Sequence, residues 1–122
     1  MIIGKIKANR EAVIELEVIG LAQRAKIEAV LDTGFTGYLM LPSDLINHLS
    51  LQLIGTRNVI LGDGSNVTLD LYRAKVLWHN IERIVYVLRS DAELLVGMSL
   101  LHGSRVTLDV VTNGNVTIDV LP

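Results

Sequence analysis

Ile14, Leu16 and Val18 alternate with Glu15 and Glu17, and the same period of two returns twice near the C-terminus. Val106, Leu108 and Val110 interleave with Thr107 and Asp109, and Val116, Ile118 and Val120 interleave with Thr117 and Asp119. Successive side chains of a strand point to opposite faces, so each segment has one apolar face and one wet face. A helix would scatter the same residues around its axis. The chain is therefore predicted to be mainly β.

Turn chemistry divides the strands. Asn113-Gly114 between the last two is a strong hairpin signal, because both residue types tolerate positive φ. Asn9-Arg10 predicts a turn between strands at 2–8 and 12–20, and His79-Asn80 one between strands at 72–78 and 81–88. Gly62-Asp63-Gly64-Ser65 reads as the flexible tip of a hairpin between strands at 58–61 and 67–72. Helical signals are short. Ser43 is placed to cap a turn running to Leu49, with Asp44 suited to its N-terminal dipole. The segment 98–102 forms little more than a turn before Gly103. The predicted fold is a small closed β-barrel with one or two short helices, a single domain over residues 1–122.

Composition narrows what such a fold does. Half the residues are apolar, enough for a core without staples, and with no cysteine there is neither disulfide nor thiolate metal site. The net charge is −2, aromatics are 4% of residues and no basic stripe is visible, which argues against nucleic-acid binding. No apolar run reaches membrane-spanning length. Met1-Ile2-Ile3-Gly4-Lys5 is too short for a signal-peptide core, so a cytoplasmic location is the default expectation. His48, His79 and His102 lack metal-ligand spacing, and no metal or other cofactor is expected. His48 and His102 each end a predicted helix, where a cation suits the dipole. Ser43, Ser65 and Ser99 lack a nucleophile-elbow context, and Gly62-Asp63-Gly64 is followed by no phosphate-loop Lys. Trp78 is assigned to core or interface.

The residues that carry chemistry begin with Val30-Leu31-Asp32-Thr33-Gly34. Asp32 ends a run from Ile27 to Leu31 that reads as a buried strand, where a carboxylate is costly without partners. The bland reading is a turn, with Asp accepting backbone N–H bonds and Gly supplying positive φ. Such a tripeptide arises by chance in roughly a few per cent of chains this long, so alone it is a weak signal. Its surroundings strengthen it: Phe35-Thr36-Gly37 supplies a second small-residue turn, and Tyr38-Leu39-Met40-Leu41 an apolar strand ending at Pro42. Much later, Leu94-Leu95-Val96-Gly97 runs into Met98-Ser99-Leu100-Leu101.

These two segments together resemble the aspartic proteases, and the single-domain length resembles their retroviral-type (retropepsin-like) branch. The resemblance implies that Asp32 is catalytic, that Thr33 and Gly34 support its loop, and that Gly97 packs beneath it. It places Gly62, Asp63 and Gly64 at the flap, a hairpin that closes over substrate, although the tip lacks the aromatic used by pepsin-like relatives. The chemistry needs two carboxylates facing one water. One acts as general base on the water while the other, protonated, donates to the scissile carbonyl, and the pair titrates as a unit. No other Asp has matching surroundings: Asp44 starts a helix, Asp63 and Asp91 lie in loops, and Asp70, Asp109 and Asp119 lie on polar strand faces. The second carboxylate is then Asp32 of a symmetry mate, with Thr33 bonding across the two-fold. The implied function is a homodimeric aspartic endopeptidase acting on a peptide or protein substrate. A non-catalytic dimeric peptide- or partner-binding module on the same fold is the alternative. A small β partner protein with a coincidental turn is the blandest reading.

Overall fold

A computed structural model describes residues 1–122 as ten strands and two short helices. In order these are β1 (Ile2–Ile6), β2 (Ala12–Ile19), β3 (Arg24–Leu31), β4 (Leu39–Leu41), α1 (Ser43–His48), β5 (Gln52–Ile60), β6 (Asn66–Trp78), β7 (Ile81–Arg89), β8 (Leu95–Val96), α2 (Met98–Leu101), β9 (Ser104–Leu108) and β10 (Asn115–Val120). The sheet runs β5-β6-β7-β4-β8-β3-β2-β1-β10-β9. Two further rungs, Val18↔Val76 and Ile19↔Lys75, join β2 to β6, so that six of the strands pair in a ring. The mainly β expectation with two short helices holds.

The period of two is realised in β2 and β10, whereas in the third segment Val106 and Leu108 are exposed and Val110 lies beyond the strand. Ile14, Leu16 and Val18 of β2 are buried, as are Val116 and Ile118 of β10, and their polar neighbours face outward or sideways. Ala74, Val76 and Trp78 of β6 face Val85 and Val87 of β7 within the same core, which places Trp78 inside. His79 (φ 52°) and Asn80 (φ 63°) make the two-residue turn between those strands, with Trp78 opposite Ile81.

Five local expectations are corrected. The strands predicted on either side of Tyr72 are one continuous strand, β6, pairing with β5 along its first half and β7 along its second. β5 begins at Gln52 rather than Asn58 and carries a bulge between Leu53 and Gly55. β9 ends at Leu108, and residues 109–114 form a longer loop in which only Asn113 has positive φ (63°). That loop is tied to β1, with Asn113 N–H donating to Ile6 O and Ile6 N–H to Gly114 O. Pro42, not Ser43, occupies the cap position of α1. Ser43 instead donates its N–H (2.7 Å) and hydroxyl (2.6 Å) to Asp91 Oδ1, from the loop after β7. Those two bonds hold the Asp91 carboxyl below the usual carboxylate range. Finally, β3 is not buried on both faces, since Glu28 points outward and pairs with Lys7 at 2.8 Å.

His79 provides a pH-dependent link between the β6–β7 turn and the C-terminal strands. Its ring stands edge-on to Trp78 at 5.3 Å, its Nε2 lies 3.1 Å from Ser104 Oγ, and its Nδ1 is buried without a partner. Burial first, then the N-terminal ammonium, hold its pKa below the ordinary histidine value, against an opposing pull from Asp119. The unfolded chain therefore binds this proton more readily than the folded one. The expected result is full stability above about pH 6.5, declining as pH falls through the lowered folded value. His79→Asn, which accepts the left-handed backbone, should flatten that decline in melting curves recorded against pH.

Candidate active site

β3 ends at Leu31 and delivers Asp32 into a loop that returns as β4. The two-residue β8 lies between them, parallel to β3 through Val30↔Leu95 and Leu31↔Val96 and antiparallel to β4 through Leu39↔Val96. Asp32 N–H donates to Val96 O at 2.9 Å. The segment just beyond β8 then holds four successive loop carbonyls. Met98 N–H donates to Phe35 O (2.8 Å), the Ser99 hydroxyl to Thr36 O, Ser99 N–H to Gly37 O (3.1 Å) and Gly97 N–H to Tyr38 O (3.0 Å). The loop that carries Asp32 is fastened at Asp32 and again from Phe35 to Tyr38, with Thr33 and Gly34 left free of these bonds.

Close packing accompanies those bonds. A Cβ on Gly97 would overlap the Gly37 carbonyl oxygen and sit 2.6 Å from Phe35 Cδ2. A Cβ on Gly37 would meet the same ring at 2.7 Å from Cε1. The Phe35 ring therefore fits against two glycines, and any side chain at either would push it out. Asp32 Oδ1 accepts the Gly34 N–H at 2.8 Å, and a Cβ on Gly34 would lie 3.2 Å from that oxygen. Gly34 is not in the left-handed region, so close approach rather than positive φ is what it supplies. No side chain or backbone donor of this chain bonds Oδ2. Asp32 is half-buried and Thr33 is exposed.

Arg83 braces the site from β7. Its guanidinium lies 5.5 Å from the centre of the Tyr38 ring and donates to the carbonyls of Leu100 (3.3 Å) and Ser99 (3.4 Å). Neither Phe35, Ser99 nor Arg83 was singled out for this role from sequence. The second Gly of Asp-Thr-Gly-Phe-Thr-Gly was the available signal for Phe35, whereas Arg83 sits in an alternating strand and gives none.

The β5–β6 hairpin carries Gly62, Asp63 and Gly64 at its tip. Asp63 Oδ1 accepts the hydroxyl (2.6 Å) and N–H (2.9 Å) of Ser65, which lower its pKa, and Gly64 takes φ 85°. The tip bonds only to itself. The hairpin's shank does reach the loop: Val59, Leu69 and Leu71 pack with Phe35 and Val30 around buried Met40, Leu88 and Leu95. Asp32, Thr33, Gly34 and Gly97 are thus brought together, with an apolar wall from the hairpin alongside. No three His, Asp or Glu side chains cluster in a way that would hold a metal ion. No helix is long and apolar enough to cross a membrane.

This arrangement is similar to a solved structure of EIAV protease complexed with the inhibitor HBY-793, with a TM-score of 0.62 and 17% sequence identity. The match covers 77% of this chain and 88% of that one. The fold is retropepsin-like. At this identity the likeness is one of fold alone. No family model matches the chain, and no curated protein does. Within the retropepsin-like fold, the loop at Asp32 and the junction at Gly97 are interlocked by backbone bonds and close glycine contacts.

Proposed function

We propose that this chain is an aspartic endopeptidase that works as a homodimer, each copy contributing Asp32 to one water-activating pair. The observation that carries this reading is the state of Asp32: one oxygen is fixed by Gly34 N–H while the other has no donor within the chain. A carboxylate held that way on a braced loop is preorganised to face a second group, which supports dyad chemistry. Two such carboxylates in one site share a proton. The ionised one takes a proton from water as it attacks the peptide carbonyl, and the protonated one stabilises the oxygen on which charge develops. Thr33 and Gly34 keep the loop shape, Gly97 supports it from below, and the hairpin tipped by Gly62, Asp63 and Gly64 covers a bound peptide. The half-buried side chains of Val30, Val59, Leu69 and Leu71, packed over buried Met40, Leu88 and Leu95, form a wall that favours apolar side chains next to the cleaved bond.

That same wall also suits a dimeric peptide-binding module without catalysis, which is the second reading. Peptide-library cleavage read by mass spectrometry from acid to neutral pH separates the two. Cuts made by the wild type and absent with Asp32→Asn support the enzyme. A dimer that binds peptides from the library and cuts none supports the module.

Thr33 offers a test of the dimer. In the proposed arrangement its hydroxyl bonds across the two-fold. Thr33→Val keeps the shape and removes that bond, at a cost of about 1 kcal/mol or more per dimer. Sedimentation equilibrium should show the dimer dissociation constant rising roughly tenfold. The far-ultraviolet circular dichroism of the chain should be unchanged, since Thr33 is exposed.

A further inference from the structure

Of the lysines and arginines in this chain, Arg83 is the one that is not exposed. Lys7, Arg24, Lys26, Lys75 and Arg89 each stand within 4.0 Å of a carboxylate, and Arg83 does not. A half-buried cation loses hydration, which is costly unless an anion or several acceptors take the place of water. Arg83 has two carbonyl acceptors at long range, on Leu100 (3.3 Å) and Ser99 (3.4 Å), and the Tyr38 ring against it. A guanidinium carries five N–H donors, so most of them are unspent. A neutral amide could also donate to two carbonyls. Bracing alone therefore does not account for the charge.

Arg83 opens onto a cavity of about 360 Å³, lined otherwise by Thr36, Tyr38, Met98, Ser99 and His102. No acidic side chain lines it. Donor groups come from three separate elements: Arg83 from β7, Thr36 and Tyr38 from the chain between Asp32 and β4, and His102 just after α2. Thr36 spends its carbonyl on the Ser99 hydroxyl, which leaves its own hydroxyl free to donate. A cavity of similar size, about 370 Å³, lies at Arg73 and Lys75, but Glu82 also lines it and stands 3.9 Å from Lys75. The positive charge at Arg83 has no such balance.

We propose that the Arg83 cavity binds the phosphate group of a small molecule, with Arg83 as the principal ligand and His102, Thr36 and Tyr38 as further donors. A guanidinium meets phosphate through two parallel N–H···O bonds. Donors drawn from three elements suit four oxygens set in a tetrahedron better than the two oxygens of a planar carboxylate. The cavity volume is within the range of small-molecule sites, and Met98, 45% exposed, gives an organic body an apolar surface to lie on. A phosphate held there ties β7 and the end of α2 to the loop that carries Asp32. The site stands independently of the paired-Asp32 reading, and its test reads binding rather than cleavage.

That test is calorimetric titration with inorganic phosphate, ionic strength held constant with sodium chloride, and with sodium acetate as the planar comparison. Saturable phosphate binding with a dissociation constant of about 1 mM is expected, and acetate should bind about tenfold more weakly. Arg83→Gln should weaken phosphate binding about tenfold or more, because a charge-assisted pair becomes a neutral bond. That variant also loses the brace, so His102→Gln is the second: its side chain is exposed and takes no part in the brace. It should bind phosphate about threefold to tenfold more weakly and melt as the wild type does without phosphate. Arg57→Gln, at an exposed position of β5, should bind phosphate like the wild type. A wild type with no saturable binding up to about 20 mM phosphate, far above that dissociation constant, overturns the proposal. So does binding that is unaltered in both Arg83→Gln and His102→Gln. Acetate bound as tightly as phosphate overturns the tetrahedral assignment.

Discussion

Asp32→Asn should lower peptide cleavage by about 10²–10⁴-fold or more, the contribution of general acid–base catalysis, and leave the fold intact. In a homodimer one substitution alters both halves of the pair. The asparagine amide can neither take a proton from water nor hold the proton that the two carboxylates share. Structure gives no reason for the variant to unfold. The asparagine would keep an Oδ1 to accept the Gly34 N–H, as the Asp32 oxygen does at 2.8 Å, and the position is only half-buried. Melting temperature should therefore report a change within about 1 kcal/mol. The dimer should persist or tighten, since two facing carboxylates repel and two amides do not. Cleavage assays and sedimentation on the same preparations check both halves. Undiminished cleavage by a dimeric Asn variant would mean that the chemistry lies elsewhere in the chain.

How much of this was legible in the sequence depended on whether the cause was local. β2, β10 and the His79-Asn80 turn follow from alternation and from residues that accept positive φ, which neighbouring positions record. α2 and its stop at Gly103, which takes φ 88°, were legible for the same reason. β5 was not, because nearly all of Gln52–Ile60 is exposed and a bulge breaks its period, leaving no hydrophobic pattern to read. The loop at 109–114 looked like a two-residue hairpin until its bonds to Ile6 are counted, and those come from a strand at the other end of the chain. The same holds at the site. Asp32 and Gly97 announce themselves as an acid and a glycine after apolar runs. The Ser99 hydroxyl on Thr36 O, the Ser43–Asp91 bonds and the Arg83 brace join residues 63, 48 and 16 or 17 positions apart. No local pattern encodes such pairings, and only the folded ring of strands brings them within reach.

Gly97→Ala is expected to be the most damaging single methyl that can be added near Asp32. The new Cβ would overlap the Gly37 carbonyl oxygen and press on Phe35 at 2.6 Å from its ring and 2.8 Å from its backbone oxygen. Two of those three neighbours are main-chain atoms, which cannot rotate aside as a side chain would. Relief requires residues 96–99 to withdraw from the loop, and the four bonds to the carbonyls of Phe35, Thr36, Gly37 and Tyr38 would lengthen together. Overpacking of this kind costs about 2–3 kcal/mol, a fall of roughly 10 °C in melting temperature for a domain this size. Gly62→Ala is the matched control: nothing lies within 4 Å of its Cβ, and its backbone is outside the left-handed region. It should melt within about a degree or two of the wild type. The size of the gap matters for function as well as stability, because a loop that loses its support also loses the fixed direction of the Asp32 carboxylate. If the two variants melt alike, the segment beneath the loop has slack. Asp32 is then positioned by its turn with Gly34 alone, as in any ordinary Asp-Thr-Gly turn, and it is not a preorganised acid.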